Sequence, residues 1–164
     1  MAEEAVYEAV RRLLDGAGVV FREAEHGATR TSEESAAARG EPLSVGGKAL
    51  VLKVKGEFRL FVLSAARKLD SKKVQERFGD KRIRFATPQE LLLLTGLVPG
   101  AVPPFGRPVL PFELYVDESI LLNDRVAFNA GLLTRSMVIS REDYLRAAKP
   151  AEVFDFSERP PGGS

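Results

Sequence analysis

Gly46-Gly47-Lys48-Ala49-Leu50-Val51-Leu52-Lys53-Val54-Lys55-Gly56-Glu57-Phe58-Arg59-Leu60-Phe61-Val62-Leu63 is the stretch that decides the fold class. Two runs rich in β-branched and aromatic residues flank Lys55-Gly56-Glu57, which reads as a hairpin turn. Period-2 alternation puts Lys48, Leu50, Leu52 and Val54 on one face of the first strand. Ala49, Val51, Lys53 and Lys55 fall on the other, wetter face. Lys48 therefore heads a wholly apolar row.

Working outward, Thr31-Ser32-Glu33-Glu34 is a capping box, with Thr31 as N-cap of an Ala-rich helix that stops near Gly40. Residues 3–17 carry Val6, Val10, Leu13, Leu14 and Ala17 at helical spacing, with Gly18 just beyond, and residues 19–21 read as a short strand. Downstream, Asp70 or Ser71 caps a helix closed by Gly79, and residues 82–85 read as a strand. Thr87-Pro88-Gln89-Glu90 is a second strong helix start, with proline at the first helical position and Gly96 as the stop. Residues 114–116, 126–128 and 137–139 read as strands, and Ser140 caps a last helix. Helices and strands mix without βαβα alternation. The expectation is α+β, a single-domain mixed β-sheet with flanking helices spanning residues 1–157, and a flexible tail at 158–164.

Composition narrows the function classes. The 164 residues fit one domain, and 45% hydrophobic with 29% charged residues excludes wholesale disorder. A net charge of +1 excludes a polybasic protein held to nucleic acid by bulk charge, leaving local basic faces open. With no cysteine, disulfides, thiolate catalysis and cysteine-ligated zinc are excluded. His26 is the only histidine, so a His-rich metal site is excluded too. No apolar run approaches the ~18 residues of a membrane span, and the acidic start is not signal-like. The expected compartment is the cytoplasm, with no cofactor and no metal.

Two features can carry chemistry. Lys48 is either a strand-end lysine whose stem packs and whose amine reaches water, or a partly desolvated ammonium lining a pocket. Residues 96–108 form the second feature; five of the ten prolines fall between Pro99 and Pro111. So rigid a connection is either a stiff surface turn or a preformed cradle of backbone N–H groups for a carbonyl or oxyanion. His26 reads first as structural, Asp117 as a helix cap, and Asn129-Ala130-Gly131 as a turn whose amide can also bind substrate. The basic residues Arg67, Lys68, Lys72, Lys73, Arg77, Lys81 and Arg82 form a solvated face or suit a phosphate backbone.

Taken in order, Thr31-Ser32-Glu33-Glu34, Lys48-Ala49-Leu50-Val51-Leu52, Thr95-Gly96, Pro99-Gly100-Ala101-Val102-Pro103-Pro104-Phe105-Gly106, Val116-Asp117-Glu118-Ser119 and Phe128-Asn129-Ala130-Gly131 form a specific set. The set resembles the YbaK/ProX family, free-standing relatives of the editing insertion domain of bacterial prolyl-tRNA synthetase, from about residue 19 to residue 156. The resemblance implies an aminoacyl-tRNA deacylase that clears mischarged tRNA in trans. It places the family's essential lysine on Lys48 and its Gly-x-x-x-Pro loop on Gly100 through Pro104. Asn129 falls where the substrate end is held, and His26, Thr31, Ala49, Phe105, Gly106, Asp117, Ala130 and Gly131 complete the implied substrate-facing set. Ala49 replaces the threonine common in the family, and Leu132-Leu133-Thr134-Arg135 replaces a glycine- and arginine-containing turn. Both departures bear on which amino acid is accepted.

The implied mechanism has the loop holding the oxyanion, Lys48 anchoring phosphate or hydroxyl oxygens, and the substrate's ribose hydroxyl activating water. The resemblance puts alanine first among small amino acids that include cysteine, serine and threonine. The implied partners are tRNA and, to supply affinity that a charge of +1 does not, prolyl-tRNA synthetase or an elongation factor. A non-catalytic tRNA- or synthetase-binding module and a small-molecule hydrolase are the rival expectations. The oligomeric state is not legible.

Overall fold

Helix boundaries follow local side-chain chemistry closely. The computed structural model describes residues 2–29 and 31–159. Its helices are α1 (Ala2–Gly16), α2 (Ser32–Arg39), α3 (Ser71–Phe78), α4 (Pro88–Thr95) and α5 (Arg141–Ala148). Thr31 and Thr87 close reciprocal capping boxes with Glu34 and Glu90, while Asp70 and Ser140 cap α3 and α5. Gly40, Gly79 and Gly96 end their helices with φ of 70°, 65° and 75°, a region glycine enters without a Cβ penalty.

The strands divide between two sheets. β1 (Arg22–Glu25), β2 (Gly47–Val54), β3 (Glu57–Ser64), β4 (Arg84–Phe85), β5 (Leu114–Asp117), β6 (Arg125–Asn129), β7 (Arg135–Ser140) and β8 (Glu152–Phe154) follow in chain order. β4-β2-β3-β5-β8 form a mixed five-stranded sheet, and β1-β7-β6 an antiparallel three-stranded one. The quoted hairpin is β2–β3, in register from Gly47↔Ser64 to Val54↔Glu57, and Lys55 and Gly56 turn it with φ of 55° and 77°.

Three expectations are corrected. The first strand lies at Arg22–Glu25 rather than at residues 19–21, because pairing with β7 fixes it while Val19 plugs the core and Val20 stands exposed. The strand expected at residues 82–85 shrinks to Arg84–Phe85 at a sheet edge. The second face of β2 is not wet throughout: Val51 is buried and Ala49 packs on the main core.

That main core lies between the sheets. It joins Val51, Leu60, Val62 and Val116 of the large sheet to Val126, Phe128, Met137 and Ile139 of the small one, with α1, α4 and α5 closing the sides. A second cluster of Leu52, Val54, Phe61, Leu63, Val74, Tyr115 and Phe156 covers the opposite face of the large sheet. The sheets meet where β2 begins. A Cβ on Gly47 would sit 2.9 Å from Val126 Cγ1, and Gly46 bridges Ala127, so glycine permits the approach. At the other end of the chain, Glu158 N–H donates to Lys68 O (2.8 Å), tying the expected tail's first residue down; residues 160–164 lie outside the described residues.

Candidate active site

The glycine-paired junction opens into a cleft of about 210 Å³. One face of α2, the start of β2, the proline-rich loop and the end of β6 wall it. Ser32, Ser35, Ala36 and Arg39 line it from α2 at i, i+3, i+4, i+7 spacing. Gly46, Gly47, Lys48 and Ala49 face them, with Gly100, Val102, Phe128 and Asn129 completing the wall. A smaller apolar hollow of about 150 Å³, reaching to Phe85 and Leu91, shares Ala49, Leu50, Gly100 and Val102 with the cleft.

Lys48 is half-buried, and its Nζ donates to Arg67 O at 2.6 Å. Burial lowers its pKa below the ordinary lysine value; Glu33 opposes the shift and Lys68 adds to it. Opposite, Arg39 is a residue only 8% exposed, and desolvation pulls the pKa of its guanidinium down to about 10. It donates through Nη2 to Asn129 Oδ1 (3.0 Å) and through Nε to Ser136 Oγ (3.2 Å). Asn129 Oδ1 also accepts from Ser136 Oγ (3.1 Å), which turns its Nδ2 toward Gly100 O (2.8 Å) and Ser35 Oγ (3.4 Å). Two helical or strand elements thus hold one amide, and that amide holds the loop.

Of the sequence-predicted residues, the structure brings Thr31, Lys48, Ala49, Gly100 and Asn129 together around the cleft. The others lie outside it. His26 sits behind the wall, with Nδ1 2.8 Å from Gly27 O and Nε2 2.8 Å from Ser136 Oγ, so it reaches Asn129 only through Ser136. Pro104 O accepts from the buried Tyr144 hydroxyl (2.7 Å), and Phe105 packs edge-to-face on Phe128 and Tyr144. Asp117, wholly buried, accepts from Ser119 N, Phe156 N and Ser157 Oγ and fastens the C-terminal segment to β5. Ala130 N–H donates to Arg135 O, and Gly131 N–H to Ala101 O, with φ of 88° where α1 crosses it. The loop's first half faces the cleft, and its second half is core.

Gly106 belongs to that second half. A Cβ there would collide with Phe112 O, a backbone atom that cannot swing away. Gly106→Ala is expected to cost about 1–3 kcal/mol of stability, read as a lower thermal midpoint. Deacylation at a temperature where the variant remains folded should survive. An unchanged midpoint would show that residues 106–112 relax freely.

Arg39 escaped the sequence reading. The signal was present in the small and polar i, i+3, i+4, i+7 face of an Ala-rich helix, which is too short of apolar residues to be a core face. No carboxylate or imidazole among the described residues lines the cleft. Among the described residues, no cluster of three or more His, Asp or Glu side chains could hold a metal. The site offers, among the described residues, two cations, hydroxyls, an amide and backbone, a set suited to orienting a labile ester and stabilising negative charge on it.

The fold is that of aminoacyl-tRNA editing domains. A crystal structure of a protein put forward as a trans-editing enzyme for prolyl tRNA synthetase superposes with a TM-score of 0.80 at 29% identity, over 94% of this chain and 98% of that one. The Multifunctional Ser/Thr-tRNA deacylase ProXp-y of Escherichia coli (strain K12) is 39% identical over 150 residues, 88% of each chain. A Proline--tRNA ligase of Shouchella clausii is 32% identical over 101 residues, covering 62% of this chain and 18% of that protein. Residues 26–147 match the model of the aminoacyl-tRNA editing domain. The chain belongs to that family, and it is a deacylase of the trans-editing class.

Proposed function

We propose that this chain hydrolyses the ester of tRNA carrying serine or threonine, in preference to alanine. The observation that carries this reading is the polar floor of the cleft: Ser35, Arg39 and Asn129 are 6%, 8% and 8% exposed. An alanyl methyl pressed there would take water from the Arg39 N–H groups that have no acceptor among the described residues, at about 1–3 kcal/mol for a donor left unpaired, whereas a hydroxyl accepts from them. The similarity to a relative named as a Ser/Thr-tRNA deacylase supports the same choice.

In this mechanism the ester carbonyl lies against the backbone at Gly100, with Lys48 stabilising charge that develops as water attacks. Among the described lining side chains none is a ready general base, and the neighbouring ribose hydroxyl of the substrate orients and activates the water. The ester is intrinsically labile, which makes positioning the larger part of the task. A net charge of +1 supplies little long-range attraction to tRNA, so prolyl-tRNA synthetase or an elongation factor presents the substrate, in the cytoplasm.

Hydrolysis of one tRNA charged in turn with Ser, Thr, Ala, Cys and Pro tests the reading. Seryl and threonyl esters should be cleared fastest and prolyl ester spared. Preference for alanine would remove the hydroxyl assignment. No hydrolysis of any ester, with tRNA still bound, would instead favour a binding module.

A further inference from the structure

We infer that Arg39, seconded by Ser35, is the residue that reads the hydroxyl of the substrate's side chain. The inference rests on the deacylase reading above and names the specificity determinant within that site.

Depth supplies the first argument. A tRNA substrate must enter from the mouth, so its terminal nucleotide and the ester meet the exposed lining residues Thr31 and Gly100. What lies farthest from the polymer is the amino-acid side chain, and it meets the most buried polar groups. Those are Ser35, Arg39 and Asn129.

Charge supplies the second. Arg39 is a buried cation whose hydrogen-bonding side-chain partners are neutral oxygens, Asn129 Oδ1 and Ser136 Oγ. Glu41 attracts it, but that carboxylate is already held by Arg125 (2.9 Å) and Arg22 (3.1 Å). A buried guanidinium carries five N–H donors, and two of them are accounted for by these bonds. Burying such a group is costly unless an electron-rich partner completes it. A structural arginine buried beneath a wall would show a carboxylate; this one lines a cleft.

Chemistry supplies the third. A seryl or threonyl hydroxyl can accept from a guanidinium N–H and donate to Ser35 Oγ, which is otherwise engaged with Thr29 Oγ1 (2.8 Å) and, weakly, Asn129. A methyl can do neither. A site built around a substrate hydroxyl rejects the analogue lacking it far more strongly than an apolar pocket separates two sizes.

The test compares wild type, Arg39→Met and Ser35→Ala on one tRNA charged with Ser, Thr or Ala, reading kcat/KM for each ester. In Arg39→Met the preference for Ser over Ala should fall by about tenfold or more, and in Ser35→Ala it should fall in the same direction by a few-fold. If the Arg39 variant fails to give a cooperative thermal transition, the Ser35→Ala ratio decides. Seryl and alanyl rates falling in equal proportion would overturn the inference, since a phosphate contact or a purely structural role acts on every ester alike. Wild-type preference for serine with unchanged ratios in the variants sinks this inference alone. Wild-type preference for alanine sinks the hydroxyl assignment beneath it.

Discussion

Lys48→Ala is expected to lower deacylation by about 10²–10³-fold with the fold intact, the range seen when one preorganised donor to a developing oxyanion is removed. The size of the effect follows from where the ammonium sits. Half-buried at the head of β2, it is held by the Arg67 carbonyl at 2.6 Å and so does not have to be ordered during the reaction. Low local dielectric strengthens its pull on new negative charge. Stability should change little, because the lost hydrogen bond is worth about 1 kcal/mol and the desolvation cost of the charge disappears with it. Single-turnover hydrolysis of seryl-tRNA, with a thermal melt alongside, reads both quantities. Near wild-type turnover in a folded variant would remove Lys48 from the mechanism.

The same lysine sets a pH dependence whose sign is fixed. Burial disfavours the charged form, so Lys48 loses its proton at lower pH than an exposed lysine, whose ordinary value is 10.5. In the proposed mechanism the charged form is the working one. Enzymatic rate, corrected for spontaneous ester hydrolysis, should therefore decline on the alkaline side before ordinary lysines titrate. Glu33 favours the charged form, so Glu33→Gln should move the decline to still lower pH, most visibly at low salt because Glu33 is exposed.

Much of this was legible because its causes are local. Thr31 with Glu34 and Thr87 with Glu90 declare helix starts within four residues, and Gly40, Gly79 and Gly96 declare the ends. The β2–β3 hairpin is written in alternation plus a turn at Gly56. What was not legible depends on partners distant in the chain. Arg22-Glu23-Ala24-Glu25 has no strand character of its own and becomes β1 only against β7, more than a hundred residues later. β8 exists because β5 offers an edge, and no local pattern announces it. The division into two sheets arises where Gly47 meets Val126, again a long-range contact. The site follows the same rule. Lys48 and the Gly100 turn carry signals in their own neighbourhoods, whereas Arg39 acquires its meaning only when α2 is laid against β6 and β7. Pro104, Phe105, Gly106 and Asp117 belong to motifs that neighbour the cleft in sequence, yet their side chains or carbonyls serve the core.

Asn129→Asp should be the most informative change in the wall, because it alters one atom and leaves the volume. In the native side chain, Oδ1 accepts from Arg39 and Ser136 while Nδ2 donates to Gly100 O at 2.8 Å. Aspartate keeps the acceptor and turns the donor into an oxygen. That oxygen would face the Gly100 carbonyl oxygen, acceptor against acceptor, and the loop must withdraw. The new charge meets Arg39, so folding energy is partly restored by an ion pair, while the guanidinium is no longer available to substrate. Stability should thus fall less than in Asn129→Ala, which leaves Arg39 and Gly100 O each short of a partner at about 1–3 kcal/mol apiece. Activity should fall in the opposite order, by about 10²-fold or more in the aspartate variant, because both the carbonyl cradle and the cation beside it are lost. The crossing of the two rankings, thermal midpoint against single-turnover rate, is what a purely structural asparagine would not produce. If Asn129→Asp turned over seryl-tRNA at the wild-type rate, the Gly100 carbonyl would need no tether, and the loop's rigidity would have to come from its prolines alone.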